Sequence, residues 1–174
     1  MSAKRKIIGM TLAMMIALVI GYVNPVSAKG KEESAEEQEI STKDLPTAVL
    51  MAFQKQYPEA KIKEVGKEVE DSVTYFEIDS MDGKTKRTVL YSADGILTEV
   101  EEIISAGELP DIIQASISET YPKGKIEKAE KVIKGEVTTF EVKIEYGEEN
   151  IEAVYDLSGK LINSEKITEE GDND

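Results

Sequence analysis

Carboxylates are the main side chains in this sequence that could carry chemistry. The 174 residues include 35 Asp and Glu against 21 Lys and Arg, so the formal net charge is −14. Carboxylates at even spacing along a strand share one face, where they could act as an acid–base pair. In a chain this acidic, such pairs more often form a solvated sheet face, and we favour that interpretation. The pairs are Glu77 with Asp79, Glu99 with Glu101, and Glu141 with Glu145.

The sequence contains no His and no Cys. The lack of His removes the commonest general base and metal ligand, and it leaves Ser and Thr without their usual activating group. The lack of Cys excludes disulfides and thiolate metal sites. No glycine-rich loop of the phosphate-binding type is present. We therefore predict no catalytic residue, no metal site and no cofactor, and we do not expect an enzyme.

Residues 1–28 have the pattern of a bacterial secretory signal peptide. A short basic segment precedes a continuous apolar run, and Val26 and Ala28 stand at the two positions that a signal peptidase reads. The alternative is an uncleaved membrane anchor, but the apolar run is shorter than the about 20 residues of a full span. We predict cleavage after Ala28, export to a periplasm or beyond the cell, and no membrane association afterwards.

Two polar segments flank the region that can fold. Residues 29–44 are rich in Glu, Lys, Ser and Gln and poor in apolar residues. Such a segment cannot bury enough surface to order itself, so we predict a flexible acidic linker. Residues 169–174 form an acidic tail of the same character.

A gapless 64-residue repeat organises the chain between these segments. Identities in one register indicate a tandem duplication, because chance similarity would not keep turns and core positions in phase. We assign residues 45–104 to the first unit and residues 105–168 to the second. The matched positions include Leu45 with Leu109, Pro46 with Pro110, Tyr57 with Tyr121, Pro58 with Pro122, Phe76 with Phe140, Tyr91 with Tyr155 and Gly95 with Gly159.

Each unit begins with a short amphipathic helix. In the first unit Val49, Phe53 and Tyr57 recur at a spacing of four and form one apolar stripe. Proline is tolerated where a helix begins and cannot continue it, which suits Pro46 as a start and Pro58 as a stop. The equivalent stripe in the second unit is Ile113, Ile117 and Tyr121.

Four strands follow each helix. The alternation of Thr74, Phe76 and Ile78, and of Val89 with Tyr91, indicates half-buried strands separated by tight turns. The predicted fold is α+β, with two tandem α-β-β-β-β units. Each unit has an antiparallel meander sheet that a helix covers on one face, and the other face stays open. Phe76 and Phe140 are the predicted core anchors. Tyr91 and Tyr155 could be binding anchors, but their phase favours core packing.

This combination of features resembles a known family. A helix that opens with Leu-Pro and closes with Tyr-Pro, hairpins with turns such as Asp82-Gly83 and Ser158-Gly159, and a duplication after a signal peptide are all present. The pattern over residues 45–168 is similar to the PepSY-like, β-lactamase-inhibitor-like (BLIP-like) family of secreted bacterial proteins. The resemblance implies α+β units whose sheets can join into one curved sheet. It also implies that related inhibitors grip an enzyme with the open sheet face, and it implies no catalytic residues.

The open sheet face is the candidate binding surface. Tyr75 and Leu90 form an aromatic–aliphatic pair in an acidic surround, as the anchor of an interface often does. We also expect Val100 near this pair. The alternative is that the neighbouring unit half covers this face. The predicted binding residues are Tyr75, Glu77, Asp79, Leu90, Thr139, Glu141 and Val154.

These observations favour an exported, non-enzymatic module that binds an unknown protein or peptide. Inhibition or regulation of an extracellular enzyme is one form of that function. The alternative is an acidic envelope protein that binds cations through its carboxylates. The negative charge of the chain argues against a nucleic-acid partner, because polyanions repel one another.

Overall fold

The computed structural model describes residues 38–70 and 72–167. The predicted signal peptide (residues 1–28) and acidic tail (residues 169–174) lie outside the described residues, as does the linker up to residue 37. Within the described residues, neither helix is long and apolar enough to cross a membrane.

All of the described strands form one antiparallel sheet, in which the spatial order of the strands is their order along the chain. The two predicted meanders are therefore joined edge to edge, and the α+β fold with tandem units is confirmed. The elements are β1 (Gln38–Glu39), α1 (Thr47–Gln56), β2 (Lys61–Glu70), β3 (Val73–Asp82), β4 (Thr85–Ser92), β5 (Leu97–Ile104), α2 (Asp111–Thr120), β6 (Lys125–Lys134), β7 (Val137–Tyr146), β8 (Glu149–Asp156) and β9 (Leu161–Ile167).

Both helices begin and end at the predicted prolines. Pro46 is the N-cap residue of α1, and the backbone N–H of Tyr57 donates to the carbonyl of Phe53 at 2.8 Å to close the last turn. Pro58 follows directly and cannot extend the helix. α2 repeats this arrangement between Pro110 and Tyr121.

The two helices pack on the same kind of sheet face in each unit, over separate hydrophobic clusters. Phe76 and Phe140 are buried in these clusters, as predicted, and Tyr91 and Tyr155 are fully buried. The core interpretation of the two tyrosines is therefore confirmed. The first cluster is Leu45, Val49, Phe53, Val65, Phe76, Ile78, Val89, Tyr91 and Val100. The second is Leu109, Ile113, Ile117, Tyr121, Ala129, Phe140, Val142, Ile144, Ile151, Ala153 and Tyr155.

The junction between the units is the pairing of β5 with β6. Six residue pairs run from Glu99 with Lys134 to Ile104 with Ala129. Ile133 of the second unit packs against the first cluster, and Ile104 of the first unit packs against the second. Each core is thus completed by a side chain from the other unit.

A β-bulge places one residue on the opposite sheet face from the one predicted. The register between β4 and β5 shifts between Leu90 and Tyr91, so Tyr91 pairs with Leu97 while Val89 pairs with Val100. The extra residue reverses the side-chain alternation along β5. Val100 therefore lies in the core under α1, and the expectation that it lies near Tyr75 was wrong. The same shift recurs between Val154 and Tyr155.

The end of the predicted flexible linker is structured. β1 pairs with β2 through Gln38 with Lys67 and Glu39 with Gly66. A 3₁₀ turn follows at Thr42–Asp44 with a capping box at Ser41. The prediction of a flexible segment to residue 44 was therefore wrong from residue 38 onward.

Candidate functional site: the open sheet face

The open face is the side of the sheet opposite the two helices. Its residues alternate with the core residues along each strand, and no helix of the described residues lies over it. Its main members are Tyr75, Glu77 and Asp79 on β3; Thr88 and Leu90 on β4; Glu99, Glu101 and Ile103 on β5; Glu130, Val132 and Lys134 on β6; Thr139, Glu141 and Lys143 on β7; Glu152 and Val154 on β8; and Asn163 and Glu165 on β9.

Tyr75 and Leu90 lie on this face as predicted, and both are half-buried. Tyr75 pairs with Ser92, and Leu90 pairs with Glu77, so the two apolar side chains are diagonal neighbours on adjacent strands. Diagonal neighbours are about 7–8 Å apart, within reach of an aromatic ring. The exposed side chain of Val73 extends this apolar strip along β3.

Asp79 has a local polar partner. It pairs with Thr88 across the β3–β4 ladder, and the Thr88 hydroxyl donates to Asp79 Oδ1 at 2.5 Å. This hydrogen bond fixes the carboxylate beside the apolar strip. Tyr75, Glu77, Asp79 and Leu90 therefore form one continuous patch on β3 and β4.

The other predicted site residues lie on the same face but farther along the sheet. Thr139 is 7% exposed and Val154 is 2% exposed, so both are buried although no described helix covers them. Neighbouring open-face side chains bury them, since Glu141 pairs with Val154 and Val132 pairs with Thr139. Neither can offer much surface to a partner. Their side chains pack against their neighbours within the open face and are not available to contact a partner.

Carboxylates surround the buried residues Thr139 and Val154. Glu99 and Glu130 are each only 8% exposed, and each has a lysine: Lys134 Nζ lies 3.1 Å from Glu99 Oε2, and Lys128 Nζ lies 2.8 Å from Glu130 Oε2. Burying a carboxylate is unfavourable unless a cation or hydrogen bonds compensate. The two lysines supply that compensation.

Glu141 lies among other carboxylates on the open face. It pairs directly with Glu130, and like charges directly opposite one another are unfavourable. Burial, together with the charges of Glu101, Glu152, Glu130 and Glu99, raises the pKa of Glu141 from 4.5 to about 7. Glu141 thus exchanges a proton near neutral pH.

Glu152 extends the acidic surface toward the outer edge of the sheet. It pairs with Lys143 on one side and with Glu165 on the other. Burial and then the charge of Glu165 raise its pKa above the ordinary value. This end of the open face is therefore suited to a cationic group more than to an anion.

The groups that act on Glu141 are all carboxylates. Glu141 can accept a proton, but the titratable groups that set its pKa are all carboxylates, and no activated nucleophile lies among them. In residues 38–70 and 72–167, no group of three or more acidic side chains is arranged to hold a metal ion.

The structure separates the predicted site into two patches. One is the β3–β4 patch, and the other is the β7–β8 patch of Thr139, Glu141 and Val154. β5 and β6 lie between them, so β4 and β7 are about 14 Å apart at the usual strand spacing. The buried carboxylates between the patches were not predicted. The alternation of Glu99 with Glu101 was the only signal for them in the sequence.

Comparison with known proteins gives matches to solved structures of bacterial proteins. A DUF2874 family protein from Bacteroides uniformis has a TM-score of 0.62 at 16% identity, with 72% of this chain and 92% of that chain covered. A BLIP-like protein from Bacteroides fragilis has a TM-score of 0.58 at 20% identity, with coverage of 73% and 89%. A protein from Bacteroides eggerthii described as "putative periplasmic" has a TM-score of 0.62 at 16% identity, with coverage of 71% and 89%. At these identities the likeness shows the fold alone.

The family match rests on the sequence. No curated protein matches the chain. Residues 27–86 and 74–163 each match the family described as "Putative beta-lactamase-inhibitor-like, PepSY-like". The two matches overlap and are offset from the 64-residue repeat, but together they cover the first unit and most of the second. The resemblance predicted from the motifs is confirmed: the chain belongs to the PepSY-like, β-lactamase-inhibitor-like family.

Proposed function

We propose that this chain is an exported, non-enzymatic module that binds a protein or peptide on the β3–β4 patch of its open face. The observation that carries the proposal is the pair Tyr75 and Leu90, which are diagonal neighbours on adjacent strands, half-buried, on a face that no described helix covers. Apolar side chains left at the surface in this way are typical of interface anchors.

The surrounding charges define the chemistry of the partner. Glu77 and Asp79 flank the anchor pair, whereas Glu99, next to Leu90 on β5, is already paired with Lys134. A partner with an apolar side chain for the patch and Lys or Arg around it would match this surface. Charges at the rim act mainly on association rate and specificity, so the association should weaken as ionic strength rises.

Restraint of an extracellular enzyme is the form of this function that the family suggests. The family description and the BLIP-like neighbour from Bacteroides fragilis both refer to inhibitors by likeness. The basic and apolar leader and the periplasmic description of a neighbour support export. The carboxylates of the open face would then position the partner and would not take part in chemistry.

The test compares matched surface variants in one capture experiment. Tyr75→Ala and Leu90→Ala remove the anchor pair, while Met51→Ala removes an exposed apolar side chain from α1 on the opposite side of the sheet. Partners are captured from the envelope fraction of the producing bacterium and quantified. An anchor commonly contributes 2 kcal/mol or more, so each anchor variant should lose roughly thirtyfold in affinity.

Melting curves separate a binding role from a structural one. Both anchor variants should keep a melting temperature close to that of the parent protein, because their side chains lie outside the two core clusters. Equal capture by Tyr75→Ala and Met51→Ala would refute the proposed patch. A large fall in melting temperature would instead place Tyr75 in the folding core.

A further inference from the structure

We propose that the first unit binds a small monocarboxylate beneath the end of α1, between the guanidinium group of Arg87 and the hydroxyl group of Tyr91. The ligand class is an organic acid that carries a single carboxylate. This site lies on the helix side of the sheet, so the inference does not depend on the β3–β4 patch of the open face.

Arg87 is a buried cation that still has a donor to offer. Its side chain is only 11% exposed, its Nε donates to Glu102 Oε1 at 2.7 Å, and its guanidinium carbon lies 4.2 Å from the centre of the Tyr57 ring. Within the described residues, Nη1 of Arg87 is buried and has no hydrogen-bond partner. Because a buried N–H without an acceptor is unfavourable, an anionic oxygen placed there would be bound by a charge-assisted hydrogen bond.

The hydroxyl group of Tyr91 is the second donor. Tyr91 is fully buried, and its hydroxyl has no hydrogen-bond partner among the described residues. Arg87 and Tyr91 are four residues apart on the helix-facing side of β4, and two long side chains can close the separation of about 13 Å from both ends. Besides burial, the main cause of its raised pKa, Tyr91 experiences the charges of Tyr57 and Arg87. The three polar ends therefore lie near one another under the last turn of α1.

The second unit shows that the fold does not require these polar side chains. The positions equivalent to Ser80 and Arg87 are Ile144 and Ile151, and both isoleucines are buried in the second hydrophobic cluster. Replacing a buried ion pair by well-packed apolar side chains is often neutral or stabilising. The first unit thus carries a buried cation that the same architecture can do without, and a binding role accounts for it.

The local charge favours a ligand with one negative charge. Glu102 pairs with Arg87 on β4 and with Lys131 on β6, so these three side chains together carry one net positive charge. A single carboxylate would neutralise them, and its planar oxygens match the planar donors of a guanidinium group. Phosphate would bring nearly two negative charges into a partly buried place and leave part of that charge uncompensated.

Tyr57 is the residue through which a ligand would enter. It is the C-cap residue of α1, it is half-buried, and its ring covers the guanidinium group of Arg87. Its hydroxyl is held only by a hydrogen bond from the exposed side chain of Gln56 at 3.2 Å. Rotation of this one side chain would uncover the guanidinium group without any movement of the sheet, and such rotations are fast at partly exposed positions.

Titration of the mature full chain with sodium acetate tests the site. At constant ionic strength, the NMR signals of the backbone amides of Gln56 and Tyr57 should shift and reach saturation. Tyr91→Phe removes one charge-assisted hydrogen bond and should raise the dissociation constant of acetate about tenfold. Tyr155→Phe makes the same change in the second unit and should leave the constant unchanged. Both variants keep the buried aromatic ring, so both should fold.

Two further arms identify the cation and the ligand class. Arg87→Ile copies the residue of the second unit and should abolish the acetate-dependent shifts, while sodium phosphate should bind the parent protein about tenfold more weakly than acetate. The absence of a saturable shift with acetate would overturn the proposal. So would equal effects of Tyr91→Phe and Tyr155→Phe, or phosphate binding as tight as that of acetate, since either would show an adventitious ion only.

Discussion

Tyr91 and Tyr155 occupy equivalent positions in the two units, and each places a hydroxyl group in the core. Both side chains are fully buried, and within the described residues neither hydroxyl has a hydrogen-bond partner. Burial is the main cause that raises the pKa of each tyrosine to about 12. The aromatic ring, which packs under the helix, is therefore the part of each side chain that stabilises the fold.

Tyr91→Phe and Tyr155→Phe should leave the protein equally stable or stabilise it. Removing a buried hydroxyl that has no partner relieves an unfavourable desolvation, and the gain should be up to about 1 kcal/mol. Chemical denaturation of each variant measures the change. Tyr57→Phe is the control, since the Tyr57 hydroxyl accepts a hydrogen bond from Gln56 at 3.2 Å. A loss above about 1 kcal/mol for Tyr91→Phe would mean that its hydroxyl is satisfied.

Glu141 should make the stability of the protein depend on pH near neutrality. Its pKa is raised from 4.5 to about 7 in the folded state. Below pH 4.5 the group is protonated in both states and has no effect. Between pH 4.5 and 7 the folded state keeps a proton that the unfolded state has lost, so the free energy of unfolding falls as pH rises.

Glu141→Gln should remove that part of the pH dependence. The variant should be more stable than the parent protein above pH 7, by on the order of 1–2 kcal/mol after solvent screening, and should match it at pH 4. Glu148→Gln, at an exposed turn, provides the control. Parallel stability curves for Glu141→Gln and the parent protein from pH 4 to 8 would contradict the raised pKa.

At the scale of the elements, one glycine turn in each unit holds the helix of that unit against the sheet. Gly95 and Gly159 both have a φ of +81°. A Cβ atom on Gly95 would lie 2.7 Å from the carbonyl oxygen of Ala48, and one on Gly159 would lie 2.8 Å from Cγ1 of Ile112. The β4–β5 and β8–β9 turns therefore touch the first turn of α1 and α2.

Gly95→Ala should be much more destabilising than Gly83→Ala. Both positions have positive φ, which disfavours alanine by about 1–2 kcal/mol. Only Gly95 adds a clash with backbone atoms, while a Cβ atom on Gly83 would have nothing within 4 Å. We expect a loss of about 3 kcal/mol or more for Gly95→Ala in thermal or chemical unfolding. Equal losses at the two positions would show that the helix moves freely away from the turn.

Sequence patterns predicted the elements well where side-chain alternation carries the information. Phe76 and Ile78 set the phase of β3 correctly because one strand face must be apolar to meet a helix. The phase of Val100 was wrong because a bulge is a backbone event that the side chains of β5 do not encode. β1 was missed for a similar reason: Gln38 and Glu39 pair through their backbone and bury no side chain.

The candidate site was harder to predict than the fold. The open-face position of Tyr75 follows from alternation along its own strand. The burial of Thr139 and Val154 depends on which residues lie beside them on neighbouring strands. That pairing is set by the turns and by the β5–β6 junction between the units. No local pattern along one strand contains it.

At the scale of the whole molecule, the two units are similar but not equivalent. Arg87 in the first unit corresponds to Ile151 in the second, and Glu102 corresponds to Lys166. Arg87 Nε donates to Glu102 Oε1 at 2.7 Å, and its guanidinium carbon lies 4.2 Å from the centre of the Tyr57 ring. The first unit thus has an ion pair between Arg87 on β4 and Glu102 on β5. At the position of Arg87 the second unit has the aliphatic side chain of Ile151.

The first unit should depend on the second for its stability. A shortened protein of residues 38–104 would keep α1 and β1–β5 but would lose Ile133 from its core and the partner strand of β5. A domain of about 60 residues buries only about 60% of its unfolded surface and is marginal by itself. A loss of 2 kcal/mol or more would lower the melting temperature of so small a protein by about 10 °C. Residues 38–167 provide the reference, and chromatography should show whether the exposed β5 edge causes association. Equal melting temperatures for the two monomeric proteins would mean that the units fold independently and that the junction adds no stability.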